Sequence, residues 1–456
     1  RIPAWYNANG EFVVAKTKEE AEILFAQKQL ANKNIYQDPD VLDTWASSWL
    51  WPISTFNGFT NEKDIKYFYP TNTLVTAPEI LFFWVARMII AGYEYKSDKP
   101  FRDVYLTGIV RDKQRRKMAK SLGNSPDPLD LIAQYGADAV RMGMLLCSPA
   151  GNDIIYDDKL VEQGRNFNNK IWNALRLIKG WEVIDGHNKN NYPAINWFEA
   201  KLNETIKEVN DHFDNFRISD ALMILYNFIW DDFCAWYLEF IKPEFGKPID
   251  EYSYEKTIEF FGKILQLMHP FMPFITEEIY HLLKERKEDI IISEMPTGAY
   301  YENTHLFAGN HVKELISKIR DARAKNNISP KEPLQLFAEH IKHESYDSFE
   351  PLIVKLGNLS AFDITKQEVK NSVTFISHNT KYYLVINKTM DVEQERKKLT
   401  EEIAYQKGFL LSVEKKLNDE KFVSGAPSKV IAMEKKKKAD AEEKIKFLQE
   451  SLMILN

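Results

Sequence analysis

The segment 101–130 has the sequence FRDVYLTGIVRDKQRRKMAKSLGNSPDPLD, in which three local patterns follow one another. Its first ten residues are rich in β-branched and aromatic side chains, which predicts a strand. A basic, glycine-containing turn follows, from Arg111 to Ser125. Asp127 and Pro128 then supply a helix cap and a first-turn proline, which predict the start of a helix. A strand, a basic loop and a helix in this order indicate an α/β domain.

One strongly apolar helix candidate precedes this segment, over residues 79–92. Thr76 and Glu79 are three residues apart with Pro78 between them, and this spacing is typical of a capping box with proline in the first turn. Thr76 and Glu79 are therefore predicted to cap the N-terminus of this helix.

A helical bundle and a small α/β appendage are predicted after the α/β segment. From about residue 136 to 298, apolar residues recur mainly at spacings of three and four, which indicates packed helices. One such series consists of Ile218, Leu222, Leu225, Ile229 and Phe233. Between residues 333 and 389 the period shortens to strand-like runs such as LQLFAEHI and KYYLVIN. These runs predict a small α/β appendage after a helix over residues 312–326.

The last segment, 391–456, has the apolar spacing of two paired helices. Spacings of three and four alternate along each arm, which is typical of a coiled-coil seam. The seam positions are Leu399, Ile403, Gln406, Leu410, Val413 and Leu417 on the first arm, and Ile445, Leu448, Leu452 and Leu455 on the second. Gly425 to Pro427 interrupt the helix between the arms. An antiparallel coiled-coil hairpin is predicted, with a domain boundary near Met390.

Composition limits the class of protein. A chain of 456 residues is long enough for two to four domains, and its 44% apolar residues favour folded structure over disorder. The richest apolar run, 80–91, contains Arg87 and is shorter than the roughly 20 residues that a membrane span needs, so we expect no membrane role. Cys147 and Cys234 are too few and too far apart for a cysteine-based zinc site, and they suit a reducing, cytoplasmic compartment.

The net charge of −6 argues against a generally basic surface, so binding of nucleic acid would require local basic patches. Lys117 and Lys120, three residues apart beside Gly123, form one such patch in a loop that follows a strand. A lysine ammonium on its flexible stem is suited to follow a polyphosphate as charge develops on the leaving oxygens. A solvated basic turn is the alternative interpretation of this spacing alone.

The loop resembles the Lys-Met-Ser-Lys-Ser signature of the class I aminoacyl-tRNA synthetases. The resemblance extends through the Leu-Gly-Asn continuation to DPLD at 127–130 and YGADAVR at 135–141. It implies that Lys120 stabilises the pyrophosphate that leaves ATP, that Lys117 assists it, and that Mg²⁺ accompanies ATP. By resemblance, the catalytic residues are Lys117, Lys120 and Ser121, and the ATP-binding residues are these three with Met118 and Ala119. Ala119 stands where serine is usual, and Arg115 stands where glycine is common.

Further motifs are similar to those of the valine members of this class. They are RIPAWY at 1–6, DVLDTWAS at 40–47, the segment 69–88, RNFNNKIWNA at 165–174 and HPFMPFITEEIY at 269–280. Valine, ATP and tRNA(Val) are the implied partners of a monomeric enzyme without a structural metal.

By family position, an amino-acid pocket is formed by Trp45, Glu79, Ile80 and Trp84. Ile80 and Trp84 are four residues apart and are expected on one helix face. Core packing remains the alternative for both, and helix capping remains the alternative for Glu79.

The resemblance implies a multidomain order for the chain. We expect the second half of a Rossmann-like catalytic domain, a stem-contact helical junction, an anticodon-binding bundle with the α/β appendage, and a coiled-coil tRNA-binding arm, over residues 1–135, 136–165, 166–389 and 390–456. The start at Arg1 and the lack of a His-Ile-Gly-His motif indicate a longer parent enzyme whose first catalytic half and editing domain lie outside this sequence. The chain is then expected to be inactive alone. A stand-alone tRNA-binding or regulatory protein derived from a synthetase is the alternative.

Three basic clusters are candidate RNA contacts. The segment 165–172 offers groups that can contact phosphate, sugar and base: Arg165, Asn166, Asn168, Asn169, Lys170 and Trp172. Arg320, Arg323 and Lys325 form a second cluster. The third consists of Lys435, Lys436, Lys437 and Lys438, on an arm with 14 basic and 13 acidic residues. For each cluster, a solvated helix face is the alternative interpretation.

Overall fold

The computed structural model describes residues 1–31, 34–148, 151–339, 348–378, 380–386, 392–419 and 428–454. The chain divides into two compact units. The first comprises residues 1–180, 204–230 and 258–298, and the second comprises residues 181–203, 231–257 and 299–456. None of the helices in the described part of the chain is long and apolar enough to cross a membrane.

The first unit begins with a small antiparallel sheet. Its strands are Phe12–Val14, Ala4–Tyr6 and Tyr36–Gln37, in that spatial order. The helix Lys18–Gln27 packs Ala21 and Phe25 against Val13 of this sheet. Thr17 caps that helix by accepting a hydrogen bond from the Glu20 amide, so the element has a local start signal.

A β-helix-β unit follows and confirms the predicted α/β class. The strands Thr71–Thr76 and Phe101–Leu106 are parallel. They are joined by a helical segment that consists of the 3₁₀ turn Pro78–Ile80, the π-helical turn Leu81–Val85 and the α-helix Ala86–Lys96. Leu74, Val85, Met88 and Phe101 form the core between the strands and this segment.

The predicted capping box at the start of this segment is wrong. Ala77 occupies the cap position without a side-chain hydrogen bond. Thr76 ends the preceding strand, and its buried Oγ1 has no hydrogen-bond partner among the described residues. Ile80 ends a 3₁₀ turn and Trp84 lies in a π turn, so these two residues do not belong to one regular α-helix.

The basic loop lies between a short strand and a capped helix. Val110–Arg111 pairs in parallel with Ile154–Ile155. The helix Pro128–Tyr135 begins as predicted, because the Asp127 carboxylate accepts a hydrogen bond from the Leu129 amide at 2.8 Å. Gly136, with a φ of 89°, separates this helix from Ala137–Leu146.

Over residues 158–325 the described chain consists mainly of helices, as the apolar spacing of three and four predicts. In chain order they are Asp158–Lys179, Tyr192–Asp214, Ile218–Asn227, the π-helical Phe228–Tyr237, Leu238–Ile241, Glu251–Met268, Pro273–Leu283 and Asn303–Lys325. A Cβ on Gly164 would lie 2.5 Å from the Ala139 carbonyl oxygen, so glycine permits the close packing of Asp158–Lys179 on Ala137–Leu146. Residue 165, the expected end of the junction, lies within the helix Asp158–Lys179.

The α/β appendage belongs to the second unit. Its four strands lie in the spatial order Leu359–Thr365, Leu334–Glu339, Thr380–Val385 and Ser372–Ser377. The first pair is parallel and is connected through the helix Glu350–Gly357, whereas the other pairs are antiparallel. The preceding helix, predicted over 312–326, extends over Asn303–Lys325.

Two long helices, Val392–Leu417 and Ser428–Ile454, close the described chain, and we call them the arm. The ion pairs Glu402–Lys444 and Glu414–Lys438, at 3.0 and 2.8 Å, show that the helices run antiparallel. Among the predicted seam positions, Ile403, Gln406, Val413, Ile445 and Leu448 are buried. Met390, the segment 425–427 and the side chains of Leu399 and Leu455 lie outside the described residues.

Candidate functional site

The candidate phosphate-binding segment, residues 117–121, is here called the lysine loop. The side chains of Asn124 and Asp112 hold the two ends of this loop together by hydrogen bonds. Asn124 accepts a hydrogen bond from the Ala119 amide at 2.9 Å, and it donates to the Asp112 carboxylate at 2.9 Å and to the Lys117 carbonyl at 3.3 Å. Asp112 also accepts from the backbone amide and the guanidinium of Arg116, both at 2.8 Å. The loop is therefore closed by a network that does not use its lysine ammonium groups.

The Asp112 carboxyl group is buried and surrounded by donors. The hydrogen bond from Asn124 and those from Arg116 hold its pKa at about 2, against the opposing effect of burial. Because the pKa of Asp112 is lower than that of an ordinary carboxyl, its ionised form stabilises the folded chain. This contribution to the free energy of unfolding is complete above about pH 4 and is lost as the pH falls towards 2. Asp112 is thus an ionised anchor of the loop at neutral pH.

The turn before the lysine loop contains Arg115 in the left-handed region, with a φ of 63°. This is the position at which the family commonly has glycine, and glycine adopts such a conformation without a steric cost. The Arg115 amide donates to the Asp112 carbonyl at 2.8 Å, which fixes the reversal. The departure from the family pattern therefore lies at a position where the backbone itself favours glycine.

The two lysines of the loop have different surroundings. Lys117 Nζ forms an ion pair with Glu79 at 2.9 Å, and both side chains are about half exposed. Lys120 is exposed and forms no ion pair within the part of the chain that the structure describes. Glu79 is thus a partner of the lysine loop and not a helix cap, and Lys120 is the lysine with a free ammonium group in this conformation.

The remaining loop residues surround this cation. Ser121 is exposed, and Met118 and Ala119 are half-buried. Lys120 begins the 3₁₀ turn Lys120–Leu122, which ends at Gly123 with a φ of 61°. The structure therefore places all five predicted ATP-binding residues in one short, largely exposed segment.

Two of the predicted pocket residues, Trp45 and Trp84, belong to an aromatic cluster at the helical segment 78–96. Trp45 stacks on Phe83, with ring centroids 6.1 Å apart, and Trp84 stacks on Trp51 at 5.5 Å. Trp84 Nε1 also donates to the Ser48 carbonyl at 3.1 Å, which orients its ring. The structure brings Trp45 and Trp84 to this cluster, whereas Glu79 points to the lysine loop.

Asp138 and Arg141 form a second network that the sequence did not predict. The Asp138 carboxylate accepts hydrogen bonds from the Phe274 and Ile275 amides, at 3.3 and 2.6 Å, and so caps the helix Pro273–Leu283. Arg141 donates to the Phe271 carbonyl at 3.1 Å and to the Pro270 carbonyl at 2.9 Å. Burial raises the pKa of Asp138. No local pattern indicates this contact, because the partners are more than 100 residues apart.

The helix Asp158–Lys179, which we call the polar helix, has an apolar and a polar face. Seven residues are buried: Val161, Gly164, Phe167, Ile171, Ala174, Leu175 and Ile178. The opposite side exposes Arg165, Asn166, Asn169 and Trp172. Arg165 lies over the Tyr135 ring at 5.6 Å, and Lys170 lies over the Trp230 ring at 5.1 Å. Of the predicted RNA contacts, Arg165 and Asn169 are exposed, Lys170 and Asn168 are half-buried, and Asn168 Oδ1 has no hydrogen-bond partner among the described residues.

The hypothesis that Arg323 contacts RNA is wrong. Its guanidinium is buried and donates to four backbone carbonyls, those of Ser329, Glu332, Gly357 and Asn358, at 2.8 to 3.2 Å. The charged group therefore joins the end of its helix to the appendage. Arg320 and Lys325 are exposed, and Arg320 lies over the Trp236 ring at 5.3 Å.

The four consecutive lysines of the arm divide into two pairs. Lys437 contacts the buried Glu434 at 2.6 Å, and Lys438 contacts Glu414 of the other helix at 2.8 Å. The hydrogen bond from Lys437 lowers the pKa of Glu434. Lys435 and Lys436 are exposed and form no ion pair within the described residues. Half of this positive run is therefore neutralised inside the arm.

Three family models match the chain. One described as tRNA synthetases class I (I, L, M and V) matches residues 1–157, which include the lysine loop. One described as the anticodon-binding domain of tRNA ligase matches residues 196–338. One described as the valyl tRNA synthetase tRNA binding arm matches residues 391–456.

Individual relatives match over the whole chain. The chain is 51% identical over its full length to a valine–tRNA ligase of Parabacteroides distasonis, of which it covers 53%. It is 38% identical over 99% of its length to a valine–tRNA ligase of Fusobacterium nucleatum, of which it also covers 53%. The chain thus spans about half the length of the curated relatives it matches.

One similar solved structure is the ternary complex of Agrobacterium radiobacter K84 agnB2 LeuRS-tRNA-LeuAMS. It is 17% identical with a TM-score of 0.50, and the alignment covers 74% of this chain and 42% of that chain. At this identity the likeness concerns the fold alone.

Proposed function

Because this chain belongs to the valyl-tRNA synthetase family, we propose that it forms part of an enzyme that activates valine with ATP and transfers it to tRNA(Val). The observation that carries the proposal is the lysine loop, whose base is fixed by Asp112 and Asn124 while Lys120 is left exposed. A fixed loop with a mobile cation is suited to a reaction in which charge appears on a leaving phosphate.

In the proposed reaction, a valine carboxylate oxygen attacks the α-phosphorus of ATP, and the bond from that phosphorus to the bridging oxygen of pyrophosphate breaks. Lys120 stabilises the negative charge on the departing pyrophosphate. Lys117 assists after it leaves Glu79, and Ser121 lies beside them. A ribose hydroxyl of tRNA(Val) then attacks the activated carbonyl, and AMP departs.

We propose that Mg²⁺ binds at this site only together with ATP. The two carboxylates nearest the loop lysines in the network, Asp112 and Glu79, are already bound by Asn124, Arg116 and Lys117. Mg²⁺ is commonly held by substrate phosphates together with few protein ligands. The loop itself therefore supplies cations for phosphate oxygens, and the Mg²⁺ that arrives with ATP would neutralise further phosphate charge.

The aromatic cluster around Trp45 and Trp84 is proposed to form part of the valine pocket together with Ile80. An apolar wall of this kind separates side chains that differ by one methyl only weakly, so we propose that an editing site in the parent enzyme corrects the errors. We assign Glu79 to the lysine loop instead of to a direct contact with valine.

The RNA contacts are proposed on the polar helix and the arm. Arg165, Asn169 and Lys170 would contact the tRNA from the polar helix, and Lys435 and Lys436 would contact its phosphates from the arm. We further propose that the arm is an antiparallel coiled coil and that the enzyme is a monomer in the cytoplasm. The domain limits at 135 and 389 are part of the same proposal, whereas a limit at 165 would divide the helix Asp158–Lys179. A stand-alone tRNA-binding protein is the second candidate, and the test below separates the two.

The test is a Lys120→Ala substitution in the enzyme that contains this chain. Loss of one charge that acts at the leaving group should lower valine-dependent pyrophosphate exchange by about 100-fold or more, with little change in valine affinity. Lys113→Ala is the matched control, because Lys113 is exposed, lies near the loop and pairs with Asp157 at 3.2 Å. Equal losses in both variants, or a loss of valine affinity alone, would contradict the assigned role. Valine-independent tRNA binding without any exchange would favour the second candidate.

A further inference from the structure

A cluster of one imidazole and two carboxylates lies at the end of the helix Pro273–Leu283. His281 Nε2 is 3.1 Å from Glu277 Oε1 and 3.3 Å from Asp289 Oδ1. Glu277 and His281 are one turn apart on the helix, and Asp289 returns from the following loop. One ligand atom of each residue lies within 4.8 Å of those of the other two. None of these three residues belongs to the lysine loop, the polar helix or the arm.

The backbone that carries these side chains is anchored on both sides. The Ile290 amide donates to Glu277 Oε1 at 2.9 Å, which orients this carboxylate. Ile290 is buried, so the residue next to Asp289 is fixed in the core. The Ser293 hydroxyl also donates to the Ile290 carbonyl at 2.7 Å. Outer hydrogen bonds of this kind orient metal ligands and are a regular part of metal sites.

The two printed distances from His281 are compatible with an ion pair and also with neighbouring donor atoms of a tetrahedral metal site. In a zinc site with bonds of about 2.0–2.2 Å, neighbouring donor atoms of a tetrahedron are roughly 3.3–3.5 Å apart. Charge-assisted hydrogen bonds between nitrogen and oxygen are shorter, at about 2.7–2.9 Å. The separation of 3.3 Å from Asp289 matches this edge, and the separation of 3.1 Å from Glu277 is slightly shorter than it and within the range of an ordinary hydrogen bond.

We propose that Glu277, His281 and Asp289 form a binding site for a divalent ion of the zinc type. An imidazole nitrogen favours zinc and similar transition metals, whereas magnesium and calcium prefer sites made of oxygen. Three protein ligands leave the fourth position to water. The bound ion would join the last turn of the helix Pro273–Leu283 to the turn Ile290–Ile292 and so close the segment 284–288 into a loop.

Co²⁺ serves as a spectroscopic probe of this site in the 456-residue chain after treatment with a chelator. The chain should bind one equivalent with the visible absorption of tetrahedral Co²⁺, and Zn²⁺ should displace it. His281→Ala and Asp289→Asn should each weaken this binding by about tenfold or more. Asp289 is 70% exposed, so its substitution leaves the fold intact. His305→Ala is the matched control, because His305 pairs only with Glu302, at 3.7 Å, among the described residues and should leave the absorption unchanged.

Proteolysis gives a second readout that does not depend on spectroscopy. Trypsin cleaves after Lys284, Arg286 and Lys287, which lie between the proposed ligands. Zn²⁺ should slow cleavage at these positions in the unchanged chain and should not slow it in the His281→Ala variant. The variant also serves as the control for a direct effect of Zn²⁺ on the protease. Equal Co²⁺ binding and equal cleavage rates in the unchanged chain and both ligand variants would overturn the proposal.

Discussion

At the scale of the residue, the left-handed conformation of Arg115 is a source of strain beside the lysine loop. An L-residue in this conformation costs roughly 1–2 kcal/mol, and glycine does not incur this cost. Arg115→Gly removes this strain but also makes the unfolded chain more flexible, and the two effects oppose each other. We predict that the substitution does not lower the free energy needed to open residues 111–124. Hydrogen exchange of peptides from this segment measures the opening.

Gln114→Gly is the control for the Arg115 substitution, because Gln114 is a neighbouring exposed residue outside the left-handed region. This variant should lower the opening free energy by about 0.5–1 kcal/mol, since it adds flexibility without relief of strain. The two glycine variants should therefore differ by about 1–2 kcal/mol. Equal effects of the two substitutions would show that the conformation of Arg115 costs nothing.

The ion pair between Glu79 and Lys117 leads to a prediction about lysine reactivity. Both side chains are about half exposed, so the pair contributes at most about 1 kcal/mol. Glu79→Gln should raise the rate at which an amine-acylating reagent modifies Lys117 by up to about fivefold. Mass spectrometry of the modified chain measures this rate, and Lys120 of the same molecule is the reference because it has no ion pair among the described residues. A parallel rise at both lysines would mean that the substitution opens the whole loop.

At the scale of the element, the start of the helix Pro273–Leu283 depends on a side chain from another helix. Asp138→Ala leaves the Phe274 and Ile275 amides without their acceptor, which should cost about 2 kcal/mol. Hydrogen exchange over residues 273–283 reports the loss. Asp127→Ala removes the exposed cap of Pro128–Tyr135 and should cost only about 0.5–1 kcal/mol. Unchanged exchange over 273–283 would rule out a capping role for Asp138.

The arm allows a second prediction at this scale, because its lysines divide into exposed and paired residues. Replacing Lys435 and Lys436 with alanine should weaken tRNA binding and reduce the slope of log affinity against log salt by roughly 1.5. Titrations of tRNA at several salt concentrations measure this slope. Replacing Lys437 and Lys438 should instead loosen the arm, because the ion pair between Lys438 and Glu414 joins its two helices, whereas Glu434 keeps Lys416 at 3.9 Å. The same salt slope in all variants would mean that these lysines do not contact RNA.

At the scale of the whole molecule, the elements with local signals could be predicted from the sequence. Three patterns depend only on residues that are close in the sequence: the cap at Asp127, the apolar period of the helices and the strand-like runs after residue 333. The structure contains the corresponding helices and strands. The lysine loop could be located because its residues are contiguous. The role of Glu79 could not be predicted, since its partner is 38 residues away and the nearer Thr76 offered a local alternative. The π turn at 81–85 has no local signature either, so its wider hydrogen-bond spacing could not be predicted.

The contact made by Asp138 and Arg141 has a consequence for protein engineering. The four hydrogen bonds that join these residues to the segment 270–275 all end on main-chain amides or carbonyls. Bonds of this type recognise the path of a backbone and not the identity of its side chains. Residues 138–141 and residues 270–275 can therefore come from different parent proteins, and a chimaera with its crossover between residues 141 and 270 can keep these four hydrogen bonds as long as Asp138 and Arg141 are retained.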